Sequence, residues 1–162
     1  MNARSAFLTA ICLCAAFEAH AQDGSSCAQA IPLSSMQTYN VDTSTASNWM
    51  TTFGPLVSPS NDLAYTFTLN AGTNGFIRPT ASSYAFAMYV IADCNPAGAQ
   101  SAPVLATATI NTAMTLTEAT LTAGHQYYLA VTGTAAGGPG ANGTLTFDVF
   151  ATPVTLQSFE ID

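Results

Sequence analysis

The chain contains no lysine, and its only basic side chains are Arg4 and Arg78, against nine Asp and Glu residues and a formal net charge of −7. So few cations cannot replace the counterions of a phosphate backbone, which excludes nucleic-acid binding. The same shortage excludes a polybasic contact with anionic lipid. Long apolar runs are also missing. The longest, Ala6–Phe17, is about 12 residues, too short to cross a ~30 Å bilayer as a helix. Helical periodicity is hard to find after it. No G-x-S-x-G nucleophile elbow occurs, and only two histidines and four cysteines are present.

The apolar run has a role of its own. Arg4 precedes it, and Glu18-Ala19-His20-Ala21 follows it with an A-x-A ending. Residues 1–21 therefore read as a secretory signal cleaved after Ala21. None of the cysteines sits in a lipobox. The expected product, residues 22–162, is secreted to the extracellular space or the periplasm without a membrane anchor. Cleavage removes Cys12 and Cys14 and leaves Cys27 and Cys94, an even pair in an oxidising compartment, expected to form one disulfide.

What remains is rich in Thr, Ser, Ala, Asn and Gly, and hydrophobic residues still make up 49% of the whole chain, enough for a core. Its apolar residues recur with period 2. Leu63, Tyr65, Phe67 and Leu69 share one face, as do Phe86, Met88 and Val90, with Tyr89 and Ile91 opposite. Tyr127, Leu129 and Val131 alternate likewise, and Leu145, Phe147 and Val149 alternate against Thr144, Thr146 and Asp148. Weaker strands are read at Thr38–Asp42, Gly75–Arg78, Val104–Ile110, Met114–Leu121 and Val154–Ile161. Gly54-Pro55, Ser58-Pro59-Ser60-Asn61, Asn95-Pro96-Ala97-Gly98 and Ala123-Gly124 punctuate them. Gly133–Gly143 is expected to be a long hairpin loop. About nine strands at this spacing predict an all-β fold: one antiparallel β-sandwich of jelly-roll type, residues 22–162, with 155–161 as an extra edge strand.

The order of motifs adds a family likeness. Cys27 opens Cys-Ala-x-x-Ile-Pro-Leu. Asn61-Asp62-Leu63-Ala64-Tyr65-Thr66-Phe67 follows, and Tyr84 then precedes Met88-Tyr89-Val90-Ile91 and the pair Asp93-Cys94. Leu121-Thr122-Ala123-Gly124-His125-Gln126-Tyr127-Tyr128 and Gly143-Thr144-Leu145-Thr146-Phe147 complete the series. Over residues 27–150 this resembles the bacterial pre-peptidase C-terminal domain and its Cys-bearing secreted relatives. The resemblance implies a jelly-roll-like sandwich that serves as an accessory module of secreted hydrolases. Members assist secretion, bind extended polymers or bind calcium through acids near the domain start, where this chain has only Asp23. A second cysteine pair found in some members is lacking.

Candidate chemistry is sparse. His125, the sole histidine after the leader, follows Gly124 in a turn and reads as a turn residue rather than a general base. Val41-Asp42-Thr43-Ser44 has the start of an aspartic-protease loop, but Ser44 replaces the glycine and no second copy supplies the paired carboxylate. Asp42, Asp62 and Asp93 are the carboxylates that a calcium ion would draw on, with no EF-hand-like spacing. Trp49, Tyr84 and Tyr89 are the first candidates for a ring platform that stacks on sugars, with Phe53 and Tyr128 behind them. The chain is expected to have no catalytic residues, and no cofactor other than calcium. Its expected role is a secreted binding or accessory module for an extracellular polysaccharide or protein polymer. Two alternatives stand beside it. One is a structural or adhesive subunit that self-associates through its C-terminal strand. The other is a hydrolase of unrecognised type.

Overall fold

A computed structural model of the chain describes residues 23–135 and 141–153. The expected leader, the centre of the Gly133–Gly143 connection and the strand expected at 154–161 lie outside the described residues. Among the described residues twelve strands form: β1 (Ile31–Pro32), β2 (Gln37–Asp42), β3 (Thr52–Phe53), β4 (Leu56–Val57), β5 (Asp62–Thr68), β6 (Thr73–Ser82), β7 (Phe86–Ile91), β8 (Ala99–Gln100), β9 (Leu105–Thr107), β10 (Met114–Leu116), β11 (Gln126–Gly133) and β12 (Thr144–Pro153). They build a five-stranded sheet in the order β1-β5-β11-β7-β9 and a four-stranded sheet in the order β10-β6-β12-β2. A small third sheet has the order β4-β3-β8.

The two large sheets face each other across one core. From the first come Leu63 and Tyr65 on β5, Met88 and Val90 on β7, and Leu129 and Val131 on β11. From the second come Val41 on β2, Ile77 on β6, Met114 and Leu116 on β10, and Leu145, Phe147 and Val149 on β12. These are the faces that the alternation marked, and burying them is the dominant favourable term in folding. Tyr39 stacks on Phe147 at 5.2 Å and meets Tyr65 edge-on at 5.9 Å, so rings from both sheets lock at the centre.

The antiparallel sandwich is present, with four refinements. First, pairing is mixed: β1 runs parallel to β5 and β3 parallel to β8. Second, β1, β3, β4 and β8 are two-residue strands, too short to alternate. Third, β6 continues past Arg78 through Pro79. A register shift between Thr146 and Phe147 of β12 accommodates it there, at a place where a ring nitrogen cannot donate. Fourth, β11 and β12 belong to different sheets, so the Gly-rich connection crosses between layers and is not a hairpin loop.

Cys27 and Cys94 are joined, with Cα atoms 5.6 Å apart, within the usual span of a disulfide. The third sheet and the segment leading into it lie over the outer face of the five-stranded sheet. There Met50 and Phe53 bury themselves with Ile91 of β7 and Ala130 of β11 in a second apolar cluster.

Candidate functional site

The segment between β2 and β5 is fixed from below by a single carboxylate. Asp62, the first residue of β5, is fully buried. Its Oδ2 accepts the Met50 amide at 3.0 Å and its Oδ1 accepts the Ser58 hydroxyl at 2.8 Å. Ser58 in turn lies 2.7 Å from the Thr132 hydroxyl. The Asp62 amide donates to the Ser47 carbonyl. Burial raises the Asp62 carboxyl to about 6, against the pull of the Thr132 and Ser58 hydroxyls. The carboxylate is thus a structural anchor whose bonds all go to the protein.

The three carboxylates expected to draw calcium are not brought together. Asp42 lies elsewhere: it is exposed, caps the 3₁₀ turn Thr43–Thr45 and accepts the Ser44 amide, and these bonds hold its carboxyl below the usual range. Asp93 is exposed beside the disulfide. Among the described residues no three of His, Cys, Asp and Glu gather where a metal ion could be held. The Asp-Thr-Ser sequence is a capped strand end, not half of a dyad.

Four of the five aromatic candidates meet. Trp49, Tyr89 and Tyr128, each partly buried, pack around Met50 and Phe53 on the outer face of the five-stranded sheet. They make a roofed cluster more than an open platform: Phe53 is fully buried, and it stacks on Tyr89 at 4.5 Å. The Trp49 indole N–H is buried without an acceptor among the described residues. Tyr84 does not join them. It is 7% exposed and packs in the main core, edge-on to Phe86, where burial raises its phenol. A buried ring cannot stack on a sugar, so Tyr84 leaves the candidate list.

His125 is also occupied. Its Nε2 donates to the Ala92 carbonyl at 3.1 Å, and its ring stands edge-on to Tyr127 at 4.7 Å. The buried Asp62–Ser58 contact has no imidazole beside it among the described residues.

The sequence reading missed the outer face of the four-stranded sheet. There Phe76 and Phe150 are register partners across β6 and β12, with ring centroids 4.8 Å apart. One step along, Arg78 Nη2 donates to Asp148 Oδ2 at 3.1 Å, and Thr38 Oγ1 donates to Asp148 Oδ1 at 2.7 Å. The Thr38 and Arg78 bonds hold the Asp148 carboxyl below the usual range. Farther on, Thr146 Oγ1 donates to Asn40 Oδ1 at 2.9 Å. Arg78 also lies over the Phe76 ring, 5.7 Å from its centroid. Alternation placed Asp148 and Thr146 opposite the core face of β12. Nothing in the sequence pairs them with Arg78 and Asn40. A separate cavity of about 220 Å3 opens at one end of the sandwich, lined by Leu33, Phe67, Leu69, Ile77, Leu116 and Val149 together with uncharged polar residues.

No protein-family model matches the chain, and no curated protein matches it in sequence. The likeness to the pre-peptidase C-terminal domain therefore rests on the quoted motifs. Among solved structures, the chain is similar to PliG of Aeromonas hydrophila, a periplasmic lysozyme inhibitor of g-type lysozyme. The identity is 13%, the match covers 76% of this chain and 96% of that one, and the TM-score is 0.49.

Proposed function

We propose that this protein is an exported, non-catalytic binding module, of the accessory kind that the pre-peptidase C-terminal resemblance implies. One observation carries the reading. The groups that could do chemistry are committed to holding the fold, while a rigid sheet face bearing rings and hydrogen-bonding side chains is left without a covering layer among the described residues. Asp62 is held by Met50 and Ser58, His125 is bound to Ala92, and Asp42 caps a turn. Catalysis needs a base within reach of a nucleophile and donors aimed at developing charge, and neither arrangement is assembled among the described residues. The Cys27–Cys94 bond supports an extracellular or periplasmic location.

The test is enzymatic. The purified secreted protein is assayed on broad peptidase, esterase and glycosidase panels, with no turnover above background expected. Turnover that disappears in His125→Ala or Asp42→Ala would make the protein a hydrolase and overturn the reading.

A further inference from the structure

We propose that the cavity at one end of the sandwich binds a small free amphiphile, a hydrocarbon chain of medium length with an uncharged polar head. This site is separate from the sheet face on which the binding-module reading rests, and the inference goes beyond that reading.

The cavity follows from the residues at one end of β6 and β12. Ile77 and Val149 are register partners that face the core. The next inward positions toward this end of the sandwich are Gly75 and Ala151, also register partners. One supplies no side chain and the other a single methyl, so the space between the two large sheets is not filled there. Phe67 of β5 closes it from the five-stranded sheet, together with Leu69, where the chain leaves β5 to cross to β6 in the other sheet. A volume of about 220 Å3 stays open.

The interior is apolar. Leu69, Ile77, Leu116 and Val149 are buried core residues, and Leu33 and Phe67 pack against them partly buried. Size then selects the ligand. A cavity of about 150 Å3 lined by Leu, Ile and Phe takes up benzene. By that measure 220 Å3 holds roughly eight carbons, too few for the paired acyl chains of a membrane lipid. Each methylene buried there should raise affinity about fourfold.

The rim sets the head group. The exposed Ser35 and Asn70 offer a hydroxyl and an amide to an alcohol, ester or amide head. None of the lining residues is ionisable. Arg78 is engaged by Asp148 on the outer face of the sheet, and the Glu118 carboxylate accepts the Gly72 amide at 2.9 Å. A carboxylate head would lose water without gaining a cation, with Glu118 and the net charge of −7 against it. An ammonium head would lose water without a carboxylate among the lining residues.

The segments beside the mouth are tied in place. The Leu33 amide donates to the Thr66 carbonyl at 2.8 Å, and the Gly124 amide donates to the Leu69 carbonyl at 2.9 Å. Glu118 holds the turn between β5 and β6 at Gly72. Little freedom then remains to be lost on binding.

Methyl-resolved NMR titration of the full chain with straight-chain 1-alkanols tests this. Saturable shifts are expected at the Ile77, Leu116 and Val149 methyls. Affinity should rise about fourfold per methylene up to roughly 1-octanol and level off beyond it. Octanoate and octylammonium should bind at least roughly tenfold more weakly than 1-octanol. Ala151→Phe fills the cavity from β12 and Leu116→Phe fills it from β10. Either should weaken 1-octanol binding at least roughly tenfold, while Val57→Ser, on the third sheet, should match the unaltered protein. Thermal melts confirm that each variant is folded. Shifts that do not saturate, affinity that keeps rising through 1-decanol, or full affinity in a folded filled variant overturns the proposal. Octanoate or octylammonium binding as tightly as 1-octanol overturns the uncharged head. Binding of 1-octanol only after Leu156→Ser/Phe159→Ser would give the cavity to the chain's own residues 154–161, and would overturn the proposal too. The enzyme panel tests the binding-module reading separately, so either can fail without the other.

Discussion

Asp62 and Met50 are bound carboxylate to amide at 3.0 Å in the absence of solvent, and this contact pins the segment that carries Trp49 to the start of β5. The Ser58 hydroxyl fills the other carboxylate oxygen. Asp62→Ala would leave the Met50 amide and the Ser58 hydroxyl buried without their acceptor. The expected loss is about 2–4 kcal/mol, read by chemical denaturation, with a shift in Trp49 fluorescence as the segment loosens. A loss below about 1 kcal/mol would show that the anchor matters little.

The Asp62 carboxyl titrates at about 6 in the fold and at its ordinary 3.8 when unfolded. The folded state therefore binds the proton more tightly. Its stabilising contribution is fully present below pH 3.8 and is lost as pH rises through about 6. Asp148, Asp42 and Asp23 are shifted downward, so their contributions are present above 3.8 and are lost as pH falls. Stability is expected to peak between about pH 4 and 6. In Asp62→Asn, a neutral side chain of the same shape, the decline from pH 5 to 7 should flatten. A profile unchanged by that substitution would assign the titration to another group.

The disulfide links residues 67 apart in sequence. Closing a loop of that size stabilises by about 4 kcal/mol in the chain-entropy model. The double variant Cys27→Ser/Cys94→Ser should lose a substantial part of that in denaturant titrations. Thiol labelling of the denatured, unreduced secreted protein should find no free cysteine from this pair.

Gly98 has a φ of +90°, and a Cβ placed on it would lie 2.5 Å from the Trp49 carbonyl oxygen. Gly98→Ala is expected to cost more than about 1 kcal/mol, from backbone strain and from pushing the Trp49 segment off the sheet. Thermal melts and Trp49 fluorescence should both change. Gly72→Ala, which also has positive φ but meets nothing within 4 Å, should cost less.

The salt response should be modest. Arg78 and Asp148 form a partly exposed pair, and such pairs contribute little. The remaining carboxylates repel one another and are screened over ~8 Å at 0.15 M. Raising salt from low to moderate should therefore lift the melting temperature slightly. Retention on heparin or DNA is expected to be nil, and salt-sensitive retention would contradict the charge argument.

The long strands were legible because their side chains report their own surroundings. Leu145, Phe147 and Val149 against Thr144, Thr146 and Asp148 can be read with no knowledge of partners. The two-residue strands could not be read that way, since β3 and β8 exist only because each finds the other. Tyr84 looked exposed because its neighbours Ser82, Ser83 and Ala85 are small or polar, yet it turns into the core. Asp62 read as a carboxylate free for calcium because its partners, Met50 and Ser58, come from a segment with no periodicity. The face around Asp148 was invisible for a related reason. Arg78 is 70 residues from Asp148 and Thr38 is 110 residues from it, so the cluster exists only once β6, β12 and β2 lie side by side.

The Cys27–Cys94 link also determines how the molecule would carry a load. If the chain were pulled from residue 23 at one end and residue 153 at the other, tension would pass through the sulfur bridge and bypass the backbone between the two cysteines. Strands β1 to β7 all lie inside that bypassed stretch. Only the part after Cys94 could be drawn out. At 3.3–3.6 Å per residue, the oxidised protein would lengthen by roughly 230 Å less than the reduced one. A tether holding it by both ends would thus strip strands β8 to β12 from all three sheets while the stretch between the cysteines stayed looped and slack.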